Sequence, residues 1–194
     1  MPRFSQMLLL AFLLLGGCAG HSDYMADVPP TKATYAPAPD KALVVFMRPS
    51  GLGFAIQSSV FDITNGEPTF IAIVPAKKKV AHQVPAGTYR FMVIGENASF
   101  LDATLVAGKT YYAVVDPRMG MWKARFAFEP VHEKQLESAD LKGWLEDCTW
   151  VETTPQALQW SKDNMPSIKE KKSDYLQEWT QSQDKAILLA ADGK

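Results

Sequence analysis

Between Lys41 and about Pro130, apolar and polar positions alternate in short runs broken by turn residues, and this two-residue period predicts strands. The runs are 42–47 (ALVVFM), 57–63 (QSSVFDI), 69–74 (TFIAIV), 79–84 (KVAHQV), 88–95 (TYRFMVIG), 100–106 (FLDATLV), 110–115 (TYYAVV) and 121–128 (MWKARFAF). Asn65-Gly66 between the second and third is a hairpin signal. In the last run Trp122, Ala124, Phe126 and Phe128 share one face while Lys123 and Arg125 lie opposite, the pattern of a strand with one side in the core. Residues 42–47 are apolar on both faces and predict a central strand. Tyr89, Phe91 and Val93 are expected to point inward. Together these runs predict a mainly β protein, an antiparallel β-sandwich of about eight strands.

Beyond Pro130 the period becomes helical, so the sandwich is expected to be followed by C-terminal α-helices over 131–194. Leu136, Leu141, Trp144 and Leu145 fall at helical spacings, with Gly143 among them. The segment 153–164 predicts a short helix with Thr154 as N-cap, Pro155 in its first turn and Leu158 inward. After Pro166, apolar residues at 168, 175, 176, 179, 186 and 187 predict one amphipathic helix. Its stripe is expected to cover the sandwich or to pair with a second copy, which makes a homodimer through the C-terminal helix one expectation.

The first forty residues follow neither period. Residues 1–17 carry Arg3, then the nine-residue apolar run MLLLAFLLL, then Gly16-Gly17. That order is an export signal, too short for a bilayer span of ~20 residues. The stretch LLLGGC resembles the lipobox of bacterial lipoproteins, which implies that Cys18 is acylated and becomes the new N-terminus. Ala19 after it implies the outer membrane, with the protein facing the periplasm and held by its lipid. Residues 18–40 then read as the lipidated cysteine and an extended, proline-rich tether, able to reach ~60 Å at ~3 Å per residue. His21 falls in it, a lone histidine and a poor metal candidate.

Composition adds bounds. The formal charge of −1 on 194 residues argues against a nucleic-acid partner, and 47% hydrophobic residues suffice for a core. Charge is nevertheless uneven: residues 41–128 hold ten Lys and Arg against five acids, and 129–194 hold eight against thirteen. With Cys18 lipidated, Cys148 has no partner within the chain; it is either a small buried hydrophobe or a disulfide to a second copy. Glu146 and Asp147 beside it disfavour a thiolate.

Candidate chemistry is sparse. Lys77, Lys78 and Lys79 form the sharpest basic patch, read as an exposed loop or as a contact for anionic lipid or cell wall. With Trp122, Trp150 and Trp179 they are the candidate partner or ligand contacts. His82 shares a face with Val80 and Val84 and reads as a core histidine. Ser59, Asp62 and His82 supply the residue types of a hydrolase triad, without a G-x-S-x-G elbow. No spacing suggests zinc or another metal, and no cofactor motif is present. The segment 49–55 (PSGLGFA) has two glycines but no helix to follow, and reads as a flexible turn.

Two segments echo each other: VPAGTYRFMV (84–93) and LVAGKTYYAVV (105–115), each with a glycine turn before a Thr-Tyr strand opening. This text resembles the DUF2846 family, small β-sandwich modules common in bacterial lipoproteins. The resemblance covers about residues 41–130 and implies fold and location, with no catalytic residues. The sequence therefore leads to the expectation of a non-catalytic binding or structural module of the cell envelope, engaging an envelope protein or the cell wall. The alternatives are a small-ligand or glycan binder using Trp122 or Trp150, and an unrecognised hydrolase.

Overall fold

The computed structural model describes residues 23–33, 35–119 and 124–194; Cys18, His21 and Trp122 lie outside them. The described chain is mainly β, with eleven strands in two mixed sheets and three α-helices. The strands are β1 (Met25–Asp27), β2 (Lys41–Arg48), β3 (Ser59–Asp62), β4 (Thr69–Ile73), β5 (Lys78–Pro85), β6 (Gly87–Ile94), β7 (Ala98–Leu105), β8 (Thr110–Met119), β9 (Ala124–Pro130), β10 (Thr149–Thr153) and β11 (Ala186–Leu188). The helices are α1 (Ala139–Asp147), α2 (Pro155–Asp163) and α3 (Met165–Gln181). One sheet runs in the order β1-β10-β5-β2-β8-β9, the other β11-β7-β6-β3-β4.

The sheets face each other in a sandwich-like pair. Alternate residues of each supply the shared core: Val44 and Phe46 from β2, Phe91 and Val93 from β6, Tyr111 and Val115 from β8, Phe126 and Phe128 from β9. The other faces are apolar too. Leu43, Val45 and Met47 of β2, with Tyr112 and Val114 of β8, meet Leu141, Trp144 and Leu145 of α1. Phe61, Met92 and Phe100 meet Trp160 of α2 and Ile168, Tyr175, Leu176 and Trp179 of α3. Four layers result, helix–sheet–sheet–helix. This is why β2 is apolar on both faces, and why it sits inside its sheet between β5 and β8. Phe46, Phe61, Phe91, Phe100 and Phe126 are fully buried, each contributing about 1.5–3 kcal/mol of apolar transfer.

Local signals hold where they were strong. Each of the eight alternating runs contains a strand, and Gly66 (φ 89°) closes the β3–β4 hairpin. Thr154 caps α2 by accepting the Ala157 N–H at 3.3 Å, with Pro155 at its start; Ser138 caps α1 through the Leu141 N–H at 3.1 Å.

The architecture departs from the expected antiparallel sandwich of about eight strands in two ways. Three pairings are parallel: β2 with β8, β5 with β10 and β7 with β11. After β2 the chain builds β3 and β4 in the other sheet, returns for β5 on one side of β2, builds β6 and β7 in the other sheet, and comes back to lay β8 on the remaining side of β2 in the same direction; a connection of this length permits parallel pairing. Three further strands come from segments read as tether or tail. β1 pairs antiparallel with β10, Met25 opposite Thr153. Residues 23–33 and 35–40 therefore lie against the domain instead of forming a free tether: Met25 is buried, the Tyr35 ring packs tilted on Trp150 at 4.4 Å between centres, and the Ala38 N–H reaches Gln83 Oε1 at 3.0 Å. At the other end α3 stops at Gln181, and residues 186–188 join β7 as an edge strand instead of extending the helix. Leu158 is exposed; α2 turns Ala157 and Ser161 inward, small residues that let it lie close.

Candidate functional site

Arg48, the last residue of β2, is fully buried and has no carboxylate partner among the described residues. Its guanidinium organises the loop that follows. Nη2 donates to the carbonyls of Leu52 (2.9 Å) and Gly53 (2.6 Å), and Nη1 to that of Ile56 (2.9 Å). The cation lies 4.6 Å from the centre of the Phe126 ring. Burial pushes it down to about 10, so it remains charged at neutral pH. Gly53 takes φ 63°, letting the loop fold over the guanidinium. Below, the Ser58 hydroxyl donates to Val74 O at 2.6 Å. Segment 49–57 is thus held by three carbonyl contacts, and it projects Leu52 (48% exposed) and Phe54 (80% exposed).

Beside this loop the chain enters the fold. Asp23 and Tyr24 share a cleft of about 370 Å³ with Phe54, Ala55, Ile56, Gln57, Ile73 and Pro75. Thr154 holds the entry: its N–H reaches Tyr24 O at 3.1 Å and its hydroxyl donates to Asp23 O at 2.7 Å. Tyr24 also lies against Trp160, at 6.1 Å between ring centres.

The three lysines lie at the same end of the first sheet and form no open basic patch. Lys77 occupies the left-handed region (φ 61°), which aims its N–H at Arg48 O (2.7 Å) and its carbonyl at the Thr149 N–H (3.1 Å). Its ammonium meets Asp147 at 3.6 Å. Lys78 pairs with Asp27 and donates to Thr149 Oγ1. Lys79 is 6% exposed; its Nζ donates to the Leu145 carbonyl near the end of α1 and sits 4.8 Å from the Trp150 ring centre. Desolvation lowers its pKa, offset in part by Cys148. Trp150 is therefore clasped between Tyr35 and Lys79. Cys148 is 2% exposed, and burial, the largest influence, pushes its thiol up despite Lys79 and Lys77 nearby. Its place is that of a small hydrophobe beneath α1, and a disulfide to a second copy would require α1 to open.

Trp179, on α3, covers the second sheet. It lies against Phe100 (5.5 Å between ring centres), with Arg90 at 4.9 Å and Lys185 at 5.3 Å from its ring. Arg90 forms a two-pronged pair with Asp102 (2.6 and 3.0 Å) across the β6–β7 register, and that bond is the main reason its pKa rises. A cleft of about 420 Å³ opens beside them, lined by Thr64, Thr88, Arg90, Asp102, Thr104 and Ile187. Sequence reasoning missed it. The signal was present in the outward-facing Arg and Asp of two neighbouring strands, but their pairing needed the register.

The hydrolase residues do not converge as a triad. Ser59 receives a bond from Gln57 (2.8 Å), while Asp62 accepts the N–H and hydroxyl of Thr64. His82 lies between the sheets against Phe46 and Phe91, its buried Nε2 without a hydrogen-bond partner. Burial lowers its pKa and Asp62 raises it in part. His132, where the strands end, instead meets Asp192 at 3.0 Å. Burial works to raise the Asp192 carboxyl, but the N–H groups of Leu189 and Glu133 and the His132 ring outweigh it and hold the group below its ordinary value. Among the described residues no cluster of His, Cys, Asp or Glu could hold a metal ion, and no helix is long and apolar enough to cross a membrane.

No family model matches this chain, and no curated protein matches it in sequence.

Proposed function

We propose that this chain is a bacterial lipoprotein, acylated on Cys18 and facing the periplasm from the outer membrane, that serves the envelope as a non-catalytic binding or structural module of the DUF2846 kind. One observation carries the reading: a charged start, a nine-residue apolar run and Gly-Gly stand directly before Cys18. Several acyl chains, each methylene contributing ~0.8 kcal/mol, would hold the domain stably at a bilayer.

The disposition of polar groups supports a binding or structural role. Arg48 is spent on loop carbonyls, Lys79 on α1, Arg90 on Asp102 and His132 on Asp192. The partner belongs to the envelope, a protein or the cell wall.

The test is metabolic labelling. Cells expressing the full chain are grown with an alkyne palmitate analogue, and the product is examined for the tag. Label is expected on the natural chain and not on Cys18→Ser. An unlabelled natural chain removes the anchor and the placement with it.

A further inference from the structure

The loop at 49–57 combines three properties. Its exposed apolar side chains are not slack: both Nη groups of Arg48 donate to the loop's own carbonyls, so Leu52 and Phe54 are held outward. It lies at the chain's entry, since Phe54 shares a cleft with Asp23 and Tyr24. And the entry is close to Cys18 along the chain. With residues 23–33 and 35–40 laid on the domain, only the step from Cys18 to Asp23 separates the anchor from the fold, at most about 18 Å at full extension.

We propose that Leu52 and Phe54 form a membrane-contact element, entering the boundary between headgroups and acyl chains of the same bilayer that the fatty chains on Cys18 hold. The occupant is the lipid surface. This rests on the lipoprotein reading, and it makes the domain ride on the membrane instead of standing ~60 Å above it on a tether. Amphipathic elements of this kind reach about 5–10 Å below the surface. Contact here is driven by apolar burial and not by charge, because the nearby lysines are already matched: Lys77 with Asp147 and Lys78 with Asp27. Leu52 and Phe54 stand two positions apart in one loop, and Phe54 is the most exposed large apolar side chain among the described residues, ahead of Val106, Leu158 and the pair Ile187 and Leu189.

The experiment uses the processed, full protein in vesicles of phosphatidylethanolamine and phosphatidylglycerol. A nitroxide is attached through Ala55→Cys in the loop or through Ala86→Cys at the opposite end of β5; native Cys148 is too buried to react. Intact mass first establishes whether Cys18 is acylated. The label at 55 is expected to be several-fold less accessible to an aqueous nickel chelate than that at 86, with no change in ~1 M salt. The difference is expected to vanish when Leu52→Ser and Phe54→Ser are added. Acylated protein with equal accessibility at both positions overturns the loop's role and leaves the anchor intact. Cross-linking of the loop to a protein while it stays accessible to the chelate does the same. An unmodified Cys18 overturns both.

Discussion

Two polar side chains, Arg48 fully buried and His82 partly so, show what single residues cost in this fold. Arg48 is a charge in the interior without a counter-charge, tolerated because three carbonyl oxygens at its two Nη groups and an aromatic face replace most of its water, although its Nε has no partner. His82 is the neutral counterpart, a polar ring with an unmet Nε2 between two phenylalanines. Burial holds its folded pKa below 6.5, with Asp62 opposing in part. As pH falls through 6.5 the unfolded chain therefore takes up a proton before the folded one does. Stability is lost over that window, by up to about 1.4 kcal/mol per pH unit, until the lower folded pKa is reached. His82→Phe is expected to remove this part of the decline. Urea unfolding of both proteins at about pH 7.5 and 5.5 checks it, since the difference between them cancels every group the two proteins share; parallel curves would refute the assignment.

At the scale of elements, the helices act as covers. α1 closes the outer face of the first sheet, and α2 with α3 close that of the second. α3 also reaches down with its lysines, Lys171 onto Gly95 O at 2.6 Å and Lys172 onto Gly66 O, tying sheet turns to the helix. The stripe that sequence offered either to the sandwich or to a second copy is occupied by the sandwich. Ile168, 4% exposed among Phe61, Met92 and Phe100, is its anchor. Ile168→Ala is expected to cost about 2–4 kcal/mol, whereas Leu158→Ala on the exposed side of α2 should cost under about 1 kcal/mol. Denaturant midpoints measure both, and similar losses at the two positions would mean that α3 does not cover the sheet. The Thr154 cap and the start of α2 were readable because they depend on neighbours within one turn. The strand at 186–188 was not, because three residues adopt the conformation their sheet partner imposes.

Over the whole molecule, the opposite charges of the two halves contribute little to their docking. Lys77–Asp147 and Arg118–Glu129 join the halves in the sense of that imbalance, but both pairs are largely exposed, and Lys169–Glu67 runs with the opposite sense. The joining surfaces are apolar. Raising sodium chloride from about 0.1 to 1 M is therefore expected to change unfolding free energy by less than about 1 kcal/mol, as thermal or urea unfolding would show. A loss of several kcal/mol would reassign the docking to charge.

The sequence by itself determined the strand runs, the Asn65-Gly66 turn, the inward faces of β6 and β9, and the side of β5 on which His82 lies. All of these follow from side-chain periods set by backbone geometry, or from residue chemistry over a few positions. Only the tertiary structure decided that Met25 pairs with Thr153, that β2 and β8 run parallel, and that the lysine run dissolves into separate contacts. The same holds for the candidate site. Segment 49–55 read as a slack turn because arginine is ordinarily a surface residue, and nothing local reveals that Arg48 turns inward to grip the loop. Such features join positions far apart along the chain, and their energies exist only once the two sheets have closed on each other.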